Sequence, residues 1–109
     1  MKIIKSQDYL NSLKTTLTFI SQDKKSAAIN FNLELNKKVK ELKSFPRKYA
    51  KSKYFDQEDI RDLMYKGYSV PYIIKEESII IIGITKYTKS LKNTSLEEIN
   101  NNYGKKIQD

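Results

Sequence analysis

The chain has 109 residues, 39% of them hydrophobic and 11% aromatic, which suits one domain around one modest core. It contains neither cysteine nor histidine, which excludes a disulfide framework, a thiolate metal site and imidazole catalysis. Lys and Arg outnumber Asp and Glu by 21 to 13, and the resulting net charge of +8 points to an anionic partner such as nucleic acid, ribosome or an acidic protein.

Met1–Lys5 is a short apolar-basic run predicted as an edge strand. Ile3 and Ile4 between Lys2 and Lys5 are too few for a signal peptide, and no stretch approaches the ~20 apolar residues of a spanning helix. A cytoplasmic protein without membrane contact is therefore expected. Ser6-Gln7-Asp8 offers helix-capping side chains, and Leu10, Leu13, Leu17 and Ile20 then share one helical face ending near Gln22. Thr15, Thr16 and Thr18 lower the intrinsic propensity of this helix, so it needs tertiary support. Asp23-Lys24-Lys25-Ser26 is a short connection with two candidate caps. The next stripe, Ala28, Phe31, Leu35, Val39 and Leu42, stops at Ser44-Phe45-Pro46, because proline disfavours helical geometry in the residue before it. Two helices joined this tightly pack as an antiparallel hairpin.

After Pro46 the period changes. Arg47–Phe55 is basic with interleaved aromatics, and Asp56-Gln57-Glu58-Asp59 is an acidic turn. Ile60–Tyr65, Tyr68–Lys75 and Ser78–Tyr87 are predicted as three strands rich in β-branched and aromatic residues. Lys66-Gly67 is a two-residue hairpin link and Lys75-Glu76-Glu77 the second reversal, so the three form an antiparallel meander. In the middle strand Val70, Tyr72 and Ile74 form the face expected beneath the helices. Pro71 removes a ladder donor from this central strand, and a local bulge or an unpaired segment is expected at that position. Residues 91–109 read as a polar tail in which Ser95 and Glu98 make a capping-box pattern for one short helix. The predicted fold is α+β, in the order β-α-α-β-β-β, with a helical hairpin on one face of a small, mainly antiparallel sheet.

That order, at this length, resembles the RelE/ParE toxin superfamily. The likeness is carried by Ser52-Lys53-Tyr54-Phe55 through Ile60-Arg61-Asp62-Leu63, by Lys66-Gly67-Tyr68-Ser69-Val70-Pro71-Tyr72, and by the apolar strand Ile79–Ile84 ending in Thr85-Lys86-Tyr87. It places a toxin domain over residues 1–90. The resemblance implies the toxin of a type II toxin–antitoxin pair, held inactive by an acidic, partly disordered antitoxin. It also implies two unlike activities: messenger-RNA cleavage on the ribosome, or inhibition of DNA gyrase by binding. A basic nucleic-acid-binding domain or a degenerate toxin is the alternative. Ser69 stands where the RNA-cutting members often carry an arginine that faces the phosphate, and the end of the last strand offers Lys86, Tyr87 and Lys89 but no arginine.

The residues singled out for cleavage chemistry are Lys51, Lys53, Arg61, Lys86 and Tyr87, with Arg47, Lys48, Tyr54 and Lys89 for nucleic-acid contact. No metal or cofactor is implied. Each has a plainer reading beside the functional one. All but two of the cations are lysines and the chain is rich in Ile and Asn, as AT-rich coding DNA produces, so where charge sits matters more than its total. The 47–55 stretch is a phosphate groove or a solvated loop with core-facing aromatics. Arg61 either contacts substrate or bridges to Asp59 or Asp62, and Tyr87 is a general acid–base group or an ordinary strand-end tyrosine. Ile29, Leu33 and Phe19 lie off the main helical stripes. They are read as second packing contacts within the domain, with an antitoxin groove as the other possibility.

Overall fold

In the computed structural model, which describes residues 1–86, Ser6 joins the first helix to the sheet. Its hydroxyl accepts the Tyr9 N–H at 3.0 Å, as an N-cap does, and donates to the Ile82 carbonyl at 2.8 Å. Strand β1 (Lys2–Lys5) precedes it, and helices α1 (Gln7–Asp23) and α2 (Lys25–Glu41) follow. Lys24 alone links them, with extended backbone at φ −157°. The connection is thus shorter than the sequence suggests: Asp23 ends α1, Ser26 lies inside α2, and α2 has no side-chain cap bond.

Strands β2 (Ile60–Tyr65) and β3 (Tyr68–Ile74) form the expected two-residue hairpin, with Tyr65 opposite Tyr68. Lys66 at φ 45° and Gly67 at φ 81° are both left-handed, the backbone a type I′ turn demands. Strand β4 (Ser78–Ile81) pairs antiparallel with β3 and parallel with β1, giving the order β1-β4-β3-β2, and β5 (Thr85–Lys86) pairs with β3.

The predicted third strand is therefore broken, and Pro71 stands beside the break. Between the pairs Tyr72–Ile81 and Ser69–Thr85, β3 supplies Val70 and Pro71, while the facing chain supplies Ile82, Gly83 and Ile84. The extra residue is a bulge on the neighbouring strand, while β3 itself pairs without interruption along β2. Pro71 accepts the Ile82 N–H at 2.9 Å but has no N–H to return, and the Ile82 carbonyl takes the Ser6 hydroxyl instead.

The main core lies between the helices and one sheet face. Tyr9, Leu13, Phe31, Leu35, Val39 and Leu42 meet Leu63, Tyr68, Val70, Tyr72, Ile79, Ile81 and Ile84, with Ile74 packed against them. The face predicted from Val70, Tyr72 and Ile74 is the one covered. A smaller cluster on the other face joins Tyr54, Ile60, Ile73 and Ile82. Phe19, Ile29 and Leu33 are 59%, 60% and 62% exposed, so they are not the second packing contacts expected of them. Each helix meets the domain with one stripe only.

Candidate functional site

The basic stretch after α2 folds along the free edge of β2. Ser52 donates its N–H to the Ile60 carbonyl at 2.8 Å and the Asp62 N–H reaches Ala50 at 3.2 Å, so residues 50–52 act as a short outer strand opposite Arg61. Tyr72 ties this segment to the sheet centre by donating its hydroxyl to the Pro46 carbonyl at 2.6 Å. Burial pushes the pKa of that phenol up to about 12, so it stays a donor at neutral pH.

Each cation that the segment carries with a resolved partner is committed within the fold. Arg61, 16% exposed, sends its guanidinium to the Glu58 carbonyl at 3.1 Å, the Tyr49 carbonyl at 3.0 Å and the Glu58 carboxylate at 3.4 Å. Its ion-pair partner is thus Glu58, while Asp59 instead pairs with Arg47 at 2.7 Å. Lys51 meets Asp56 at 2.7 Å; that hydrogen bond raises the lysine pKa and lowers the carboxylate's. Lys48 lies 3.6 Å from Glu41 and over the Tyr49 ring. Lys53 uses its backbone N–H to hold Asp62 Oδ2 at 3.0 Å. The acidic turn 56–59 supplies three of the carboxylates: Asp56 and Asp59 fold back onto Lys51 and Arg47 before it, and Glu58 meets Arg61 after it.

Three further placements bear on the predicted site. Tyr54 is 5% exposed, with its hydroxyl 3.5 Å from Ser69 Oγ, so it is a core aromatic and not a stacking platform for a base. The alternation of lysine with aromatic residues cannot distinguish these two roles, since a strand under a sheet has the same pattern. Ser69 is itself buried and donates to Met64 Sδ at 3.1 Å. Asp62 is buried beside them, with no partner for Oδ1 among the described residues; burial raises its pKa against the opposing pull of the Lys53 amide.

Lys86 lies on β5 opposite Tyr68, with its ammonium 5.7 Å from the Phe19 ring centroid. Tyr87 and Lys89, and the tail pattern of Ser95 and Glu98, fall outside the described residues. The candidates for cleavage chemistry that are described do not converge. Lys51 and Lys86 are three strand spacings apart, about 14 Å, and offset by four residues along β3, about another 13 Å. No cluster of three or more acidic residues able to hold a metal occurs among the described residues.

A family model for the ParE toxin of the parDE type II toxin–antitoxin system matches residues 3–89. The chain belongs to the ParE toxin family. Among solved structures it resembles a chain from a chromosomal ParDE system of P. aeruginosa, with a TM-score of 0.66 and 15% identity, covering 81% of this chain and 97% of that one. At that identity the likeness speaks to fold, and it supports the hairpin-on-sheet architecture. No curated protein matches the chain in sequence. Among the described residues no helix is long and apolar enough to cross a membrane.

The sequence pattern gave no sign of Lys38 and Lys66 as a pair, yet both place their ammonium groups 5.6 Å from the Tyr65 ring centroid. Only the turn that puts Lys66 beside Gly67 hinted at this end of the molecule. Nothing in the local pattern linked it to Lys38 on α2.

Proposed function

We propose that this ParE-family chain arrests bacterial growth from the cytoplasm by binding its target, without cutting RNA. DNA gyrase is the target that the family resemblance implies, and an acidic antitoxin that folds onto the chain is the neutralising partner. The observation that carries the preference over ribonuclease action is the commitment of Arg61 to Tyr49 and Glu58, well away from Lys86. Phosphodiester cleavage needs an acid, a base and a phosphate-facing cation within hydrogen-bond reach of one phosphate. Lys51, Arg61 and Lys86 do not offer that geometry. Ser69, buried and bonded to Met64, supplies no cation where the cutters often have one.

Inducing the chain without an antitoxin tests this, with two readouts in parallel. Growth arrest is expected together with inhibited supercoiling by purified gyrase at micromolar toxin, and with intact transcripts by primer extension. Codon-linked breaks in messenger RNA with gyrase undisturbed would contradict the proposal. Unimpaired colony formation would favour a degenerate toxin.

A further inference from the structure

Positive charge with no carboxylate partner among the described residues gathers at the end of the sheet that carries the β2–β3 turn. Lys38 on α2 and Lys66 in the turn both hold their ammonium groups 5.6 Å from the centre of the Tyr65 ring. Tyr65 pairs with Tyr68, which in turn pairs with Lys86, so the three lysines surround one row of the sheet. The ion pairs of Arg47, Lys48, Lys51 and Arg61 all lie within residues 41–61, and none among the described residues involves Lys38, Lys66 or Lys86. Cation–π contacts position these ammonium groups without cancelling their charge.

Beside this row a groove of about 520 Å³ opens between α1 and β5, with Phe19 and Lys86 on its walls. Its uncharged polar lining is Asn11, Ser12, Thr15, Thr16 and Thr85, and among the described residues it includes no carboxylate. Gln7 donates to the Asn11 carbonyl oxygen at 3.0 Å, leaving the Asn11 amide nitrogen as a donor toward a ligand. Phe19 is 59% exposed, so an aromatic face stands at the rim next to a cation.

We infer that this groove and the adjoining lysines bind a single strand of nucleic acid. The phosphates lie against Lys38, Lys66 and Lys86, and a base stacks on Phe19. An aromatic platform flanked by cations, with uncharged hydroxyl and amide groups for sugar and base edges, is the arrangement that takes single strands with little sequence preference. A purely acidic peptide such as polyglutamate would use the same cations but has no flat ring to stack on the aromatic at the rim. The groove is large enough for one nucleotide and the lysine row extends the contact along the strand. The inference does not depend on gyrase being the target.

The test is fluorescence anisotropy of the full purified chain with a labelled oligothymidylate of about 12 nucleotides, a length within the range such sites span. Binding should weaken as salt rises. Lys38→Ala with Lys66→Ala and Lys86→Ala should lower the magnitude of the log–log salt slope by roughly 2, at about 0.7 for each phosphate no longer neutralised. Phe19→Ala should weaken binding about five-fold or more, and Phe19→Tyr should restore it. Circular dichroism melting confirms that each variant is folded. Three results would overturn the inference: affinity unchanged in the triple variant, an unchanged response to Phe19→Ala, or equal binding of a polyglutamate peptide of the same charge. The last would make the surface a docking site for acidic protein.

Discussion

The two basic regions of this molecule differ in what their charge does. In residues 41–61 a block of cations is followed in sequence by a block of carboxylates, and the two meet in space: Arg47 with Asp59, Lys51 with Asp56, Arg61 with Glu58. At the turn end of the sheet Lys38, Lys66 and Lys86 lean on aromatic rings instead. The first region is the denser in sequence, yet its charge fastens a loop to the edge of β2. The second draws its cations from a helix, a turn and a strand, and keeps their charge for a partner. Linear density of charge is therefore a poor guide to where an anion binds.

The contrast can be broken most directly at Arg61. Arg61→Ala removes the donors for the Tyr49 and Glu58 carbonyls, and should destabilise the fold by about 2–3 kcal/mol in urea denaturation. A change under about 0.5 kcal/mol would mean that the guanidinium is free for another role. Next in size, Tyr72→Phe should cost about 1 kcal/mol, since it strips the Pro46 carbonyl of its donor. Tyr9→Phe is the control: its hydroxyl is buried with no partner among the described residues, and burial raises its pKa to about 12, so its removal should be neutral or stabilising in the same assay.

Asp62 sharpens the comparison through pH. Burial raises its pKa in the folded state, so the folded chain binds the proton more tightly than the unfolded one. The stabilisation this brings is complete below the unfolded value, about 3.9, and is lost as pH rises through the folded one. Relative to wild type, Asp62→Asn should therefore gain stability on going from acid to neutral pH. Thermal melts across that range check it, and a pH-independent difference would mean that the carboxylate is not held at a raised pKa. The smallest effect is expected from the turn end: Lys38→Ala and Lys66→Ala should change melting stability by no more than about 0.5 kcal/mol, since they support ligand binding and not the fold.

Much of the architecture was legible because burial writes a period into the chain. The stripe Phe31, Leu35, Val39, Leu42 and the alternation Val70, Tyr72, Ile74 both mark the faces that meet in the core. Lys66-Gly67 marked its turn because few pairs tolerate two left-handed residues. Pro71 marks a bulge or an unpaired segment, but the bulge's position on the facing strand at Ile82–Ile84 was not legible, since two isoleucines around a glycine continue a strand pattern. The role of Tyr54 was not legible, because a buried aromatic and a stacking aromatic look alike in sequence. The site was less legible than the fold. Ion pairs such as Arg47–Asp59 depend on how a loop folds back, and the meeting of Lys38 with Lys66 depends on tertiary packing that no local pattern encodes.

The measurement that bears most directly on this division of labour is a titration of ¹⁵N-labelled protein with oligothymidylate, followed by amide chemical shifts. Shifts concentrated at Thr15–Phe19, Tyr65–Tyr68 and Lys86 are predicted, with the Lys48–Asp56 loop undisturbed. Shifts centred on that loop, or none anywhere, would contradict the account.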